Sequence, residues 1–257
     1  MTASDPTIPA SDKLPHEREH VDALQRMQLL RAYYEWVLEL FRPYVGRRVL
    51  DAGCGIGNFT AVLEPLAEYV LAVDLSQENL KLLRTRFSGS KVVEVAGHDL
   101  DLDFELVARK GIDTVVCLDV LEHVEDDVSL LERFRDITAP GGHLLMKVPA
   151  CPWLYGSVDK ASGHYRRYTP SVLRERAARA GWEPLTARYM NLAGVLPYWV
   201  KCRMNKRDST FSRTFKPWQL RAINGAVPVL RFMDRLVGPP VGLSAVLVAR
   251  KPAQGSG

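Results

Sequence analysis

The chain has 257 residues, 47% of them hydrophobic and 25% charged, with a formal net charge of +4. It is long enough to bury a full core, and its composition excludes disordered, collagen-like and fibrous classes. So small a net charge does not argue for nucleic acid, and the sequence has no run of about 18 apolar residues of the kind that crosses a membrane.

Residues 1–18 are polar, carry Pro6, Pro9 and Pro15, and lack the apolar run of a signal peptide, so they read as a flexible leader. A helical cap is expected over 19–45, because Val21, Leu24, Met27, Leu30, Tyr34, Val37 and Phe41 recur at helical spacing. Its aromatic group Tyr33, Tyr34 and Trp36 either packs on a sheet or closes over a ligand, with Tyr34 a candidate acceptor contact. The four cysteines form no C-x-x-C pair and no metal-finger spacing, which suits free thiols in a reducing cytosol.

From 46 to 190 strand and helix patterns alternate, which implies parallel strands joined by crossover helices. Strands are expected near 48–52, 69–74, 91–96, 112–118, 142–148 and 182–190, with a last one at 244–249. Helices are expected near 58–67, 77–86, 127–137 and 170–180, the last with Thr169 as N-cap, Pro170 at N1 and Gly181 past its end. In such sheets ligands bind beyond the carboxyl ends of the strands.

The first strand runs into Asp51-Ala52-Gly53-Cys54-Gly55-Ile56-Gly57-Asn58. Three glycines at a spacing of two let the backbone bend and come into contact with a ligand. The dinucleotide fingerprint G-x-G-x-x-G places its third glycine one position later, so a nicotinamide oxidoreductase is the weaker alternative. Asp51 also suits a cationic ammonium better than a pyrophosphate. The stretch resembles the first motif of class I S-adenosylmethionine-dependent methyltransferases, which implies that Gly53, Cys54, Gly55, Gly57 and Asn58 line the cofactor. Asp74, at the end of the second strand with Leu75 beside it, is expected to take the ribose hydroxyls. Asp99, with Leu100, is expected to take the adenine amine.

The fourth strand leads into Asp119-Val120-Leu121-Glu122-His123-Val124. Asp119 and Val120 are expected on the cofactor. The packed Asp119, Glu122 and His123 can form a general-base site, a divalent-metal site or an acidic helix start. The run is similar to the segment after the first motif in small-molecule class I enzymes, and some relatives with glutamate in place of Asp119 bind a divalent ion there. The aspartate departs from that pattern, and no metal is expected.

After the fifth strand come Tyr155 and then Gly163-His164-Tyr165-Arg166-Arg167-Tyr168. Tyr155, Tyr165, Arg166, Arg167 and Tyr168 are candidate acceptor contacts. One of the two arginines is expected to bind substrate and the other to tie the loop to acidic residues. His123 and His164 are the candidate bases. With D-V-L-E-H-V, V-P-A, H-Y-R-R-Y-T and the final G-L-S-A-V-L-V-A-R-K-P, residues 30–252 resemble a bacterial branch of the class I enzymes. That branch is met beside glycosyltransferases and in envelope or natural-product pathways.

The resemblance implies an α/β, Rossmann-like doubly wound sheet of seven strands, the last antiparallel, over 46–252. It implies S-adenosylmethionine as methyl donor and S-adenosylhomocysteine as product, while Arg166, Arg167 and the basic stretch from Lys201 to Arg221 point to a small acidic or hydroxylated acceptor. Residues 192–242 interrupt this scheme as a helical, basic lid. From Lys201 to Arg221 seven basic residues face Asp208 alone. Beyond them Leu220, Ile223, Val227, Leu230, Met233 and Val237 recur at helical spacing, with Pro228 expected to bend the helix. Such a stretch packs as a lid or dimer interface, or contacts a membrane surface or lipid-linked substrate through 195–240. A catalytically silent module that binds the cofactor and docks through this lid carries the same motifs.

Overall fold

Apolar runs separated by helical segments fold here as strands returning through crossover helices. The computed structural model describes residues 17–97, 107–204 and 216–253. Its strands are β1 (Arg48–Ala52), β2 (Tyr69–Asp74), β3 (Val93–Gly97), β4 (Thr114–Leu118), β5 (His143–Pro149), β6 (Glu183–Met190) and β7 (Ser244–Arg250). They form one sheet in the order β3-β2-β1-β4-β5-β7-β6. β1 pairs in parallel with both β2 and β4, and β7 runs antiparallel between β5 and β6. The strand order reverses at β1 and β4, which opens a crevice at their carboxyl ends.

Side-chain alternation sends the strands' apolar residues to two faces. On one, Leu50, Val115, Leu144 and Met146 meet Leu131 and Phe134 of α5 (Asp127–Ile137) and Leu173 of α7 (Pro170–Arg179). On the other, Val49, Val116 and Leu145 meet Trp36, Val37 and Phe41 of α2 (Arg31–Phe41) and Val227 of α9 (Pro217–Val237). The N-terminal cap and the lid therefore share one core with the sheet. Asn224 reinforces this contact by accepting from the Ala32 amide at 2.8 Å.

Local signals hold where caps are strong. Ser76 accepts from the Asn79 amide at the start of α4 (Gln77–Arg86), and Thr169 accepts from the Val172 amide at the start of α7. The expected helix through residue 41 is instead α1 (Glu17–Met27), a 3-10 turn at Gln28–Leu30, and α2. The helix after the glycine turn is only α3 (Thr60–Leu63). Two further helices border the loops, α6 (Ser157–Ala161) and α8 (Val195–Met204). α9 continues through Pro228 as one helix. Among the described residues no helix is long and apolar enough to cross a membrane.

Candidate active site at the carboxyl edge

The glycine turn needs its glycines. Gly53 has φ +71°, and a Cβ there would lie 2.3 Å from Val120 Cγ2. Gly57 has φ +78°, and a Cβ there would meet Phe87 at 2.5 Å and Leu83 at 2.6 Å. The turn is thus pressed between Val120, at the end of β4, and α4. Asp74 reaches across it: Oδ2 accepts from the Gly55 amide at 2.8 Å, and Oδ1 accepts from the Ser76 amide and Asn79 Nδ2. Leu75 beside it is exposed.

Asp51 is buried, with the Thr60 hydroxyl donating to its Oδ2 at 2.6 Å. Burial pushes its carboxyl up to about 7, Thr60 works against this, and the charge of Asp74 adds to it. A cation docked beside it would relieve that cost. Cys54 is a free thiol in the turn, raised by burial and by the charges of Asp51 and Asp74. Asn58 sits differently from expectation. It is buried, donates to the Leu24 carbonyl at 2.9 Å and accepts from Arg86 at 3.0 Å, so it fastens α1 over the turn. Asp99 and Leu100 lie outside the described residues.

Asp119 emerges from β4 with φ +54°, a backbone conformation that non-glycine residues adopt chiefly at functional sites and turns. It pairs with the Lys147 ammonium, which lies buried on β5 and 5.7 Å from the centre of the Tyr33 ring. Burial disfavours this ammonium, but Asp119 and Tyr33 outweigh that and hold it protonated well above its usual range. Tyr34 is buried, 3.5 Å from Asn58 Nδ2, and its hydroxyl is raised by burial. Tyr33, on the same turn of helix, is the aromatic residue that faces Lys147.

The loop after β5 closes the other side. The His123 and His164 rings stack edge to face with centres 4.6 Å apart. Glu122 is fully buried, and among the described residues neither of its carboxyl oxygens has a hydrogen-bond partner. Burial, then the charge of Asp119, pushes that carboxyl well above its usual range. Ligand atoms of Glu122, His123 and His164 lie within 4.8 Å of one another, so this group can also receive a cation. His164 Nδ1 lies 3.0 Å from Oδ1 of the buried Asp159, which Arg167 Nε holds at 2.7 Å. Burial opposes ionisation of Asp159, yet the bonds from His164 and Arg167 prevail and lower its carboxyl.

The two arginines do not divide their work as expected. Arg167 is buried and donates to Asp159, to the Ala150 carbonyl and to the Tyr198 hydroxyl. Arg166 donates to the Glu125 carbonyl at 2.7 Å and pairs with Asp127 at 3.0 Å. Tyr168 is buried and donates to Asp127 at 3.0 Å. All three hold the loop against the fold; Arg167 and Tyr168 are buried, so their polar atoms must be paired inside it, while Arg166 is partly accessible. Tyr155 and Tyr165 remain exposed, with Trp153 beside them.

Sequence reasoning missed Lys147, Asp159 and Thr60. Lys147 carried a signal, a lone charge inside the apolar run 144–148. Asp159 and Thr60 carried none, since each matters only through a partner brought in by the fold.

A seven-stranded sheet of this order, with a glycine turn held by a carboxylate at its carboxyl edge, is the arrangement of the class I S-adenosylmethionine-dependent methyltransferases. The chain belongs to the family described as "Methyltransferase domain", whose profile matches residues 24–187. It is similar to the ubiquinone biosynthesis O-methyltransferase of Bordetella avium, at 30% identity over 171 residues, 61% of this chain and 70% of the relative. Among solved structures it resembles phosphoethanolamine N-methyltransferase 2 of Haemonchus contortus in complex with S-adenosylmethionine. The TM-score is 0.59 at 18% identity, over 96% of this chain and 61% of that one. A methyltransferase of Mesorhizobium loti superposes with a TM-score of 0.54 at 20% identity, over 83% of this chain and 95% of that one. Both structural likenesses are of fold. The chain is an enzyme of the methyltransferase class, with S-adenosylmethionine as its methyl donor.

Proposed function

We propose that the enzyme methylates a hydroxyl oxygen of a small acceptor, with His164 as general base. The pairing of His164 with Asp159 carries this reading. The ionised Asp159 fixes the proton on Nδ1 and leaves Nε2 as the basic atom beside the crevice. The acceptor O–H gives its proton to Nε2 as the O–CH3 bond forms and the donor's S–CH3 bond breaks to leave S-adenosylhomocysteine, and Asp159 stabilises the resulting imidazolium. His123, stacked on His164, limits the ring's rotation. The name of the B. avium relative, an O-methyltransferase, agrees with this atom choice.

S-Adenosylmethionine supplies an electrophilic methyl group, and the turn fits it: Asp51 suits its ammonium, Gly53, Cys54, Gly55 and Gly57 give close backbone approach, and Asp74 with Leu75 suits its nucleoside. Asp119 and Val120 border the same crevice from β4. Since both loop arginines are engaged within the fold, they no longer argue for an acidic acceptor. The exposed Trp153, Tyr155 and Tyr165 favour a hydroxylated acceptor with a flat or apolar body.

Methyl transfer to a panel of phenols, catechols and sugar alcohols, measured for wild type and His164→Ala, tests this reading. The expected loss is about 10²- to 10⁴-fold in kcat with S-adenosylhomocysteine affinity unchanged. An unchanged kcat would remove His164 from the chemistry. Activity abolished by a chelator and restored by a divalent ion would replace the base with a cation held by Glu122, His123 and His164.

A further inference from the structure

The lid helix α9 carries apolar side chains on two sides. Leu220 and Val227 are buried against the sheet and α2, while Trp218, Val229, Phe232 and Leu236 are 64%, 61%, 59% and 70% exposed. With Ala222 and Gly225 they form a continuous outer stripe: residues 218, 222, 225, 229, 232 and 236 follow one another at alternating steps of four and three. At 1.5 Å per residue the helix is about 30 Å long. The next helix back, α8, adds Leu196, Trp199 and Val200, which are also exposed. An outer stripe of this length on a globular enzyme marks a contact surface.

Charge selects what covers it. The only acid in α9 is Asp234, which is buried and accepts from the Asn191 and Leu192 amides at the end of β6. The outer face therefore offers no carboxylate, whereas Arg221 is exposed beside the stripe and the sequence between α8 and α9 adds Lys206, Arg207, Arg213 and Lys216 against Asp208. Arg231 and Arg235 are paired with Glu39 of α2, but two copies of α9 packed stripe to stripe in parallel would bring Arg221 to Arg221, and Gly225 would leave a gap in the seam. Self-pairing is thus opposed by the same charges that attract an anionic layer.

We propose that α9 and the exposed face of α8 lie on an anionic membrane surface, with Trp218, Val229, Phe232 and Leu236 entering the headgroup boundary. No described helix is long and apolar enough to cross, so the contact is in the plane of the surface. α8 is also tied to the acceptor loop, because Arg167 donates to the Tyr198 hydroxyl at 2.5 Å. Docking would therefore bring the mouth of the crevice to the bilayer. The inference does not rest on the atom methylated or on His164.

Flotation of the full chain with vesicles tests it, using phosphatidylcholine alone and phosphatidylcholine with about one third phosphatidylglycerol. Wild type is expected to float with the anionic vesicles and to remain behind with the neutral ones. The double variant Phe232→Glu, Leu236→Glu is expected to stay unbound while keeping its far-ultraviolet circular dichroism and its affinity for S-adenosylhomocysteine. Arg221→Gln should weaken binding roughly fivefold, the effect of one basic residue near the surface. In the wild-type chain, brominated lipid should quench tryptophan fluorescence, and Trp218→Phe should reduce that quenching. Equal flotation of the double variant, or no flotation of wild type, would overturn the proposal. So would a lipid-free dimer that the double variant disperses, which would make this face an interface between copies.

Discussion

The glycine turn and the lid helix α9 are both apolar-flanked segments near the carboxyl edge of the sheet, yet they are read from sequence with very different success. At the turn, backbone geometry admits few residues: Gly53 has φ +71° with Val120 pressed against it, and only glycine meets both conditions. In α9 the backbone is ordinary, and two apolar stripes compete for the core. The stripe read from sequence comprised Leu220, Ile223, Val227, Leu230, Met233 and Val237, which suited a packed lid, a dimer interface or a membrane contact alike; Leu220 and Val227 are buried, whereas Ile223, Met233 and Val237 are 37%, 44% and 58% exposed. Steric constraint is written into local sequence, whereas the choice between two faces depends on what the helix meets.

The largest effect is expected outside both regions, in the loop after β5, where a buried ion pair fixes side-chain placement as sterics fix the turn. Arg167→Ala would leave Asp159 buried without its cation and should cost about 3 to 5 kcal/mol, measured by denaturant unfolding. Arg166→Ala, at a more accessible ion pair, should cost far less in the same experiment. In the turn itself, Gly53→Ala introduces left-handed strain and a clash with Val120. About 1 to 3 kcal/mol of stability should be lost, with S-adenosylhomocysteine affinity falling at least tenfold by calorimetry.

A smaller effect follows from Asp51, whose carboxyl is pushed up to about 7 from 3.8. The folded chain holds a proton there that the unfolded chain releases between about pH 4 and 7, so this group's contribution to stability falls as pH rises through that window. A cationic ligand requires the ionised form. Affinity for S-adenosylhomocysteine should therefore rise by up to about tenfold per pH unit below 7 and level off above it. Asp51→Asn should bind weakly with no such slope; a wild-type affinity that is flat from pH 5 to 8 would separate Asp51 from the ligand's ammonium. The smallest effect is expected on the outer face of α9, where Phe232→Glu should change stability by less than about 0.5 kcal/mol. A loss of several kcal/mol would mean that this face is covered in the folded chain.

The strands, the capped helices α4 and α7, and the glycine turn were determined by sequence alone. Their signals are local: apolar alternation, Ser76 and Thr169 as caps, and glycines where no other residue fits. The surroundings of His164, Arg166, Arg167 and the lid were decided only by tertiary structure. His164 becomes a candidate base because sheet order brings the loop after β5 beside the end of β4, where Glu122 and His123 lie, and because Asp159 orients it there. The arginines point inward because Asp127 and Asp159 are buried and need cations. Those partners are set by strand register and burial, and neither is a property of any short stretch of chain.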